Sequence, residues 1–255
     1  MKIMVLPDVH GRRFWEDAEE NIDVYDKVVF LGDYLDPYDF DCIDDVSAIT
    51  NFSKIIDFAN RYPLKVVMLL GNHDLPYFSE EYRGLSTYHC RWSREWHDVI
   101  SGIFDEYRHL FKIAHVEGDV LFTHAGCTTA WIKSVFPEIS DANSLRDLES
   151  KLNGLLCNED GMAALYKVSP YRGGDDDTGS CVWAHVSEVT CDCEGLHFAD
   201  CESVKQVFGH TLQVEYDEIG NLVDGDSVET PVAKMLDTRN AYVLDTTTFT
   251  AKPHL

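Results

Sequence analysis

Five apolar runs in this chain break off in the same way, each followed by a carboxylate, an amide or an imidazole that lies within two residues of a glycine. "KIMVL" leads into Asp8, His10 and Gly11, and "KVVFL" into Gly32 and Asp33. "LKVVMLL" leads into Gly71, Asn72, His73 and Asp74, "VLFT" into His124, and "VKQVF" into Gly209 and His210. Short continuous apolar runs bounded by turn residues are the pattern of strands buried on both faces. Helical spacing separates the first three, over residues 12–21 and 43–60. In the second, Ile43, Val46, Ile49, Phe52, Ile55, Ile56 and Phe58 recur largely on one side. Strands alternating with helices predict an α/β fold built on parallel strands. In such sheets ligands gather beyond the carboxyl ends of the strands. The polar residues that stop the five runs therefore have a route to one edge, although they span some two hundred positions.

The rest of the chain reads more loosely. Residues 92–110 have an aromatic-rich helical pattern. "FKIAHVEGDVLFTHAG" predicts two strands joined by a turn at Glu117-Gly118-Asp119. Helices are expected over 128–135 and 142–156, and "SPYRGGDDDTGS" is a long loop. The tail, 212–252, reads as β-hairpins that turn at Ile219-Gly220-Asn221 and Asp237-Thr238-Arg239-Asn240. With no linker, repeat or low-complexity stretch, residues 1–255 read as a single domain.

Charge and composition remove several functions. The 45 acidic residues against 21 basic ones give a net charge of −24, and no track of Lys and Arg is present. Nucleic acid is therefore a poor partner, since its affinity rests on cations placed on phosphates. No apolar stretch nears the roughly 18 residues of a membrane span. The first residues run straight into a strand and a polar motif, unlike a secretory leader, so the expected location is cytoplasmic. The eight cysteines are then expected as reduced thiols. One cluster, Cys191, Cys193, His197 and Cys201, has four soft donors within eleven residues. Its C-x-C start departs from the usual zinc-site spacing, which favours a loop of free thiols over a structural zinc.

Taken singly, each strand-end residue is an ordinary turn or exposed histidine. Their recurrence at five strand ends points to a shared site. Oxygen and imidazole donors without a thiolate suit Mn, Fe or Zn. In the order D-x-H, G-D-x-x-D, G-N-H-D, H-A-G and G-H-T, the sequence resembles the calcineurin-like metallophosphoesterases, and within them the phosphoprotein phosphatase branch. The resemblance covers Met1 to about Thr211. It implies a four-layer α-β-β-α sandwich with two divalent ions, Mn foremost, at the strand ends. Asp8, His10 and Asp33 would hold the first ion; Asp33, as a bridge, with Asn72, His124 and His210 would hold the second. Attack by a hydroxide shared between the ions would hydrolyse the phosphate ester. His73 would protonate the leaving oxygen, oriented by Asp36, the second aspartate of "GDYLD".

The implied substrate is a phosphomonoester such as a phosphoprotein. The alternatives are a dinucleoside polyphosphate or phosphodiester, and, in a different class, a binding protein that has lost catalysis on the same fold. Asn72, Arg172 in "SPYRGG" and Arg12 are the expected substrate-side groups, with Arg13 a weaker candidate. Two departures stand out. Pro37-Tyr38 occupies the place where the branch has Arg-Gly, and Leu212 follows "GHT" where many members have a second histidine. Tyr34, Tyr38, Tyr77 and Trp183 are candidates for stacking a base.

Overall fold

In a computed structural model of the chain, every residue is described except 86–89, 140–144, 192–203, 212–213, 217–221, 225–226 and 255, and only backbone is described at 191, 214–216 and 222–224. The first apolar runs become β1 (Lys2–Leu6), β2 (Lys27–Phe30) and β3 (Val66–Leu69), followed by β4 (Phe111–Lys112), β5 (Ala114–Glu117), β6 (Val120–Thr123) and β7 (Lys205–Phe208). The tail holds β8 (Val214–Tyr216), β9 (Leu222–Asp224), β10 (Val228–Glu229), β11 (Ala233–Met235), β12 (Tyr242–Asp245) and β13 (Thr250–Pro253).

The strands form a six-stranded sheet in the order β13-β12-β1-β2-β3-β4 and a five-stranded sheet in the order β10-β11-β7-β6-β5. β1 to β4 run parallel, as expected of buried strands joined by helices. Alternation along each strand sets the layers. Ile3, Val5, Val29, Leu31, Val67 and Leu69 meet Val120, Phe122 and Val207 in one apolar cluster between the sheets. Met4, Leu6, Val28, Phe30, Val66 and Met68 face outward, into a cluster with Phe52, Ile55, Ile56 and Phe58 of helix Asp45–Arg61. Asp44 caps that helix by accepting from Ser47 N at 2.7 Å. Helix Val186–Cys191 covers the far face of the second sheet, where Val186 and Val189 pack with Phe208 and Met235. Helix layers thus lie outside two facing sheets, the sandwich the resemblance implies.

Several local expectations change. The helices are shorter than their patterns, Glu16–Glu20 within 12–21 and His97–Glu106 within 92–110. The segment read as two strands holds three. β4 joins the first sheet and β5 and β6 form a hairpin in the second. The chain changes sheet at Ile113, where the Asn153 side-chain oxygen accepts from both Ile113 N (2.8 Å) and Ala114 N (3.0 Å). The turn at 237–240 does not close a hairpin. It carries the chain from β11, parallel to β7 in one sheet, to β12, antiparallel to β1 in the other. The tail therefore completes both sheets, because each still lacks a partner at one edge of its parallel core. The turn at 219–221 and the side chains of Cys191, Cys193, His197 and Cys201 lie outside the described residues. The described cysteines, Cys42, Cys90, Cys127, Cys157 and Cys181, are free thiols. Among the described residues no helix is long and apolar enough to cross a membrane.

Candidate metal centre

Beyond their last ladder bonds, the ends of β1 and β2 keep running together. Val9 N, His10 N and Gly11 N donate to Gly32 O, Asp33 O and Tyr34 O at 3.3, 2.6 and 2.9 Å. This brings Asp8, His10 and Asp33 together. His10, Asp33, Asp36 and His210 all have left-handed backbone, with φ of 44, 54, 56 and 66°. Such conformations cost non-glycine residues energy and persist only where the surroundings impose them, commonly at functional sites. The glycines beside them are needed for close approach. A Cβ on Gly71 would collide with the Asp33 carboxylate and come within 2.7 Å of His124 Cε1, and one on Gly209 would come within 2.8 Å of Asp8 Oδ1.

Asp74 ties the β2 and β3 ends together. Its Oδ2 accepts from Asp33 N (2.6 Å) and Gly71 N (2.8 Å), and its Oδ1 from Tyr34 N (3.0 Å). Asp33 Oδ1 accepts in return from His73 N at 2.9 Å. Asp74, read from the sequence among the donor residues, is thus committed to backbone amides.

Two groups of three donors have ligand atoms all within 4.8 Å of one another, His10–Asp33–His73 and Asp33–His124–His210, with Asp33 in both. His10 Nδ1 donates to Leu35 O at 2.8 Å, so its Nε2 carries the lone pair, buried and without a hydrogen-bond partner. His124 Nδ1 donates to Leu31 O at 2.9 Å, so its Nε2 is likewise an acceptor. Around that atom stand Asn72 Oδ1 at 3.1 Å, Asp33 Oδ2 at 3.4 Å and His210 Nδ1 at 3.0 Å. Two of these three carry no proton. Fixing one imidazole nitrogen through a carbonyl and leaving the other as an acceptor is the usual preparation of a histidine ligand. Asp8 stands slightly apart. It lies outside both groups; its Oδ1 accepts from His210 N at 2.9 Å and lies 3.9 Å from His124 Nδ1.

The electrostatics favour cations. Burial pulls the His10 pKa down to about 3, although Asp33 opposes it, and burial with Arg172 and His124 holds His210 well below its ordinary value. Both are neutral at pH 7, the form that binds metal. Burial pushes the Asp8 pKa up. A buried acid of this kind ionises when a cation is near.

His73 has the opposite character. Burial disfavours its imidazolium, but Cys90, Asp33 and Asp36 outweigh burial and hold its pKa well above 6.5. Asp36 Oδ2 lies 3.3 Å from His73 Nδ1, and the Tyr77 hydroxyl donates to Asp36 Oδ1 at 2.6 Å. Arg172 donates to Thr211 Oγ1 at 2.6 Å. Arg12 donates to the carbonyls of Val9 (3.2 Å) and Asp8 (3.1 Å), whereas Arg13 pairs with Glu16 on the surface. Tyr34, Tyr77 and Trp183 are 0, 3 and 4% exposed and offer no stacking face; of the four aromatic candidates only Tyr38 is at the mouth.

Sequence reasoning did not find Tyr77 as a partner of Asp36, nor Cys90 and Arg91. Cys90 Sγ donates to Asn72 O at 3.1 Å, and Arg91 donates to Asp36 O (3.0 Å) and Pro37 O (3.2 Å). Nothing in the local pattern of "CRWSREW" marks them, since both act across the fold.

At the strand ends of the two-sheet sandwich, two donor groups sharing one aspartate form a candidate site for a pair of cations. The chain belongs to the calcineurin-like phosphoesterases, whose family model matches residues 1–213. It is a hydrolase of phosphate esters, and the family implies a pair of divalent ions. Among solved structures, a cold-active protein tyrosine phosphatase shares the fold, with a TM-score of 0.55 and 13% identity over 99% of this chain and 78% of that one. A metallophosphoesterase from Sphaerobacter thermophilus matches with a TM-score of 0.45 and 11% identity, over 100% and 87% of the two chains. A protein serine/threonine phosphatase from Saccharomyces cerevisiae matches with a TM-score of 0.44 and 15% identity, over 93% and 67%. No curated protein matches the chain.

Proposed function

We propose that this phosphoesterase is a phosphomonoesterase of the serine/threonine phosphatase kind. Asp8, His10 and Asp33 would hold one divalent ion, and Asp33, Asn72, His124 and His210 the other. The observation that carries the metal assignment is the crowding of Asn72 Oδ1, Asp33 Oδ2 and His210 Nδ1 around Nε2 of His124, whose Nδ1 is taken up by Leu31 O; the phosphatase reading is supported by the His73–Asp36 pair beside it. A cation placed among the atoms around His124 satisfies all of them at once. The donor set suits manganese first, with iron or zinc next. When bound, two such ions supply Lewis acidity and bring the pKa of water toward neutrality.

The chain's own residues handle the leaving group. Asp33 and Asp36 favour the imidazolium form of His73. Asp36 takes its Nδ1–H, which leaves Nε2–H to protonate the ester oxygen as the P–O bond breaks. Tyr77 fixes the other oxygen of Asp36 and so the plane of the imidazole. Arg172 and Arg12, each anchored by one or two hydrogen bonds, would offer their remaining N–H groups to the phosphate oxygens.

The test is phosphate release in Mn²⁺ from a phosphoserine peptide and, beside it, from a dinucleoside tetraphosphate with a coupling phosphatase. The peptide is expected to be the better substrate, with activity lost in EDTA and restored by Mn²⁺. A faster nucleotide reaction overturns the phosphomonoester reading. Release that persists in the chelator overturns the metal assignment.

A further inference from the structure

Tyr38 follows Asp36 and Pro37 on the turn that carries the His73 partner. Its half-buried ring meets the ring of His10 edge-on, at 4.8 Å and 66°. The Arg91 guanidinium lies over it at 4.2 Å, fixed by its two bonds to the carbonyls of Asp36 and Pro37. The Phe40 ring stacks on it at 5.0 Å, only 5° from parallel, and Arg239 lies 5.1 Å from the Phe40 ring. The result is a ladder of cation, ring, ring and cation, rooted at a residue of the first donor group. Stacked rings and cations of this kind attract one another, so the ladder holds the phenol in one orientation. With its faces engaged, Tyr38 has only its edge and hydroxyl left to offer.

Among the described residues that hydroxyl has no hydrogen-bond partner, unlike those of Tyr34 and Tyr77. It stands within electrostatic reach of Asp8, Asp33, His73 and Arg172. A pre-oriented donor beside two metal-type donor groups fits an anionic oxygen. We infer that Tyr38 is a substrate-contacting residue whose hydroxyl donates to a non-bridging phosphate oxygen, and that Arg91 is the positioning residue that holds it. This rests on the phosphoesterase reading of the site, and it gives the Pro37-Tyr38 turn a binding role.

Tyr38→Phe keeps the ring and the ladder and deletes only the donor. Losing one hydrogen bond to a charged group is expected to lower kcat/KM for p-nitrophenyl phosphate roughly 10- to 100-fold. In calorimetric titration of the Mn²⁺-loaded protein, inorganic phosphate should bind more weakly by a similar factor. Metal content and Tm should match the wild type. Arg91→Ala should raise KM several-fold, and Arg91→Lys, which keeps the cation but loses the fork, should restore part of it. A merely structural role would move Tm or metal content and leave phosphate affinity alone. Wild-type values of both kcat/KM and phosphate affinity in Tyr38→Phe overturn the inference. A wild-type protein that neither hydrolyses the ester nor binds phosphate overturns the phosphoesterase reading, and the inference with it.

Discussion

Asp74 is the place where a small chemical change should have the largest effect. Its carboxylate is fully buried and accepts three backbone N–H groups, two on Oδ2 and one on Oδ1. In Asp74→Asn the amide oxygen can keep the Asp33 and Gly71 donors, but the new NH2 then faces Tyr34 N, donor against donor. One bond is lost with its N–H left unpaired, at about 1–3 kcal/mol. Burial raises the Asp74 pKa while these three N–H donors oppose it, so the change removes whatever charge they hold there. The upper end, about 3 kcal/mol, is expected. For a chain of this size that corresponds to a fall in Tm of roughly 6–12 °C. Because Asp74 fixes Asp33, and Asp33 fixes the backbone of His73, Mn²⁺ affinity should fall as well. Differential scanning calorimetry and a metal titration measure both. Asp74→Ala strips all three partners and should be worse on each count. A Tm within about 2 °C of wild type would refute the reasoning. Lost metal at an unchanged Tm would return Asp74 to the donor set.

Three further outcomes follow from the geometry. His73→Asn should retain bound metal yet lose ~10²–10⁴-fold in kcat on alkyl phosphates, and far less on p-nitrophenyl phosphate, whose leaving group needs no proton; equal losses would remove the acid role. Gly71→Ala should displace the Asp33 carboxylate and cost metal affinity at least ~10-fold, checked by metal content after dialysis. The third concerns Glu149, whose Oε1 lies 3.2 Å from His115 Nδ1. Burial raises its pKa, but the hydrogen bond and charge of His115 outweigh burial and leave it below 4.5. A depressed carboxyl stabilises the fold above its unfolded pKa, and that stability is lost as pH falls through the folded value. Glu149→Gln should therefore melt about 2–4 °C below wild type at pH 6, a gap that closes on acidification below pH 4.5; a gap independent of pH would exclude the ion pair as its source.

The strand ends were legible because each carries two signals at once, an apolar run and a glycine beside a donor. Gly71 shows why the pairing is informative, since its missing side chain is the space that Asp33 and His124 occupy. Helix Asp45–Arg61 was legible from its apolar stripe over 43–60; it starts two residues later, after the Asp44 cap, and runs one residue further. The crossing of sheets at Ile113 was not, because what turns the chain there is a side chain forty positions away, Asn153. The role of Asp74 was hidden for a similar reason. An aspartate that ligates a metal and one that gathers amides look alike in "GNHD", and only the approach of the β2 end distinguishes them. Arg91 and Tyr77 reach Asp36 across 55 and 41 positions, beyond any local pattern.

The pairing of β1 with β12 has a consequence for how the protein is made. Asp8 reaches the backbone of His210 across 202 positions, and the strand that precedes Asp8 is flanked by residues 242–245. Contacts this distant in sequence form slowly, since a long loop must close before they stabilise anything. During synthesis, Asp8, His10 and Asp33 leave the ribosome long before His124 and His210. The nascent chain therefore holds fragments of a chelating site, exposed and incomplete, for most of its translation. On the proposed metal assignment, ion loading follows the closure of these distant contacts.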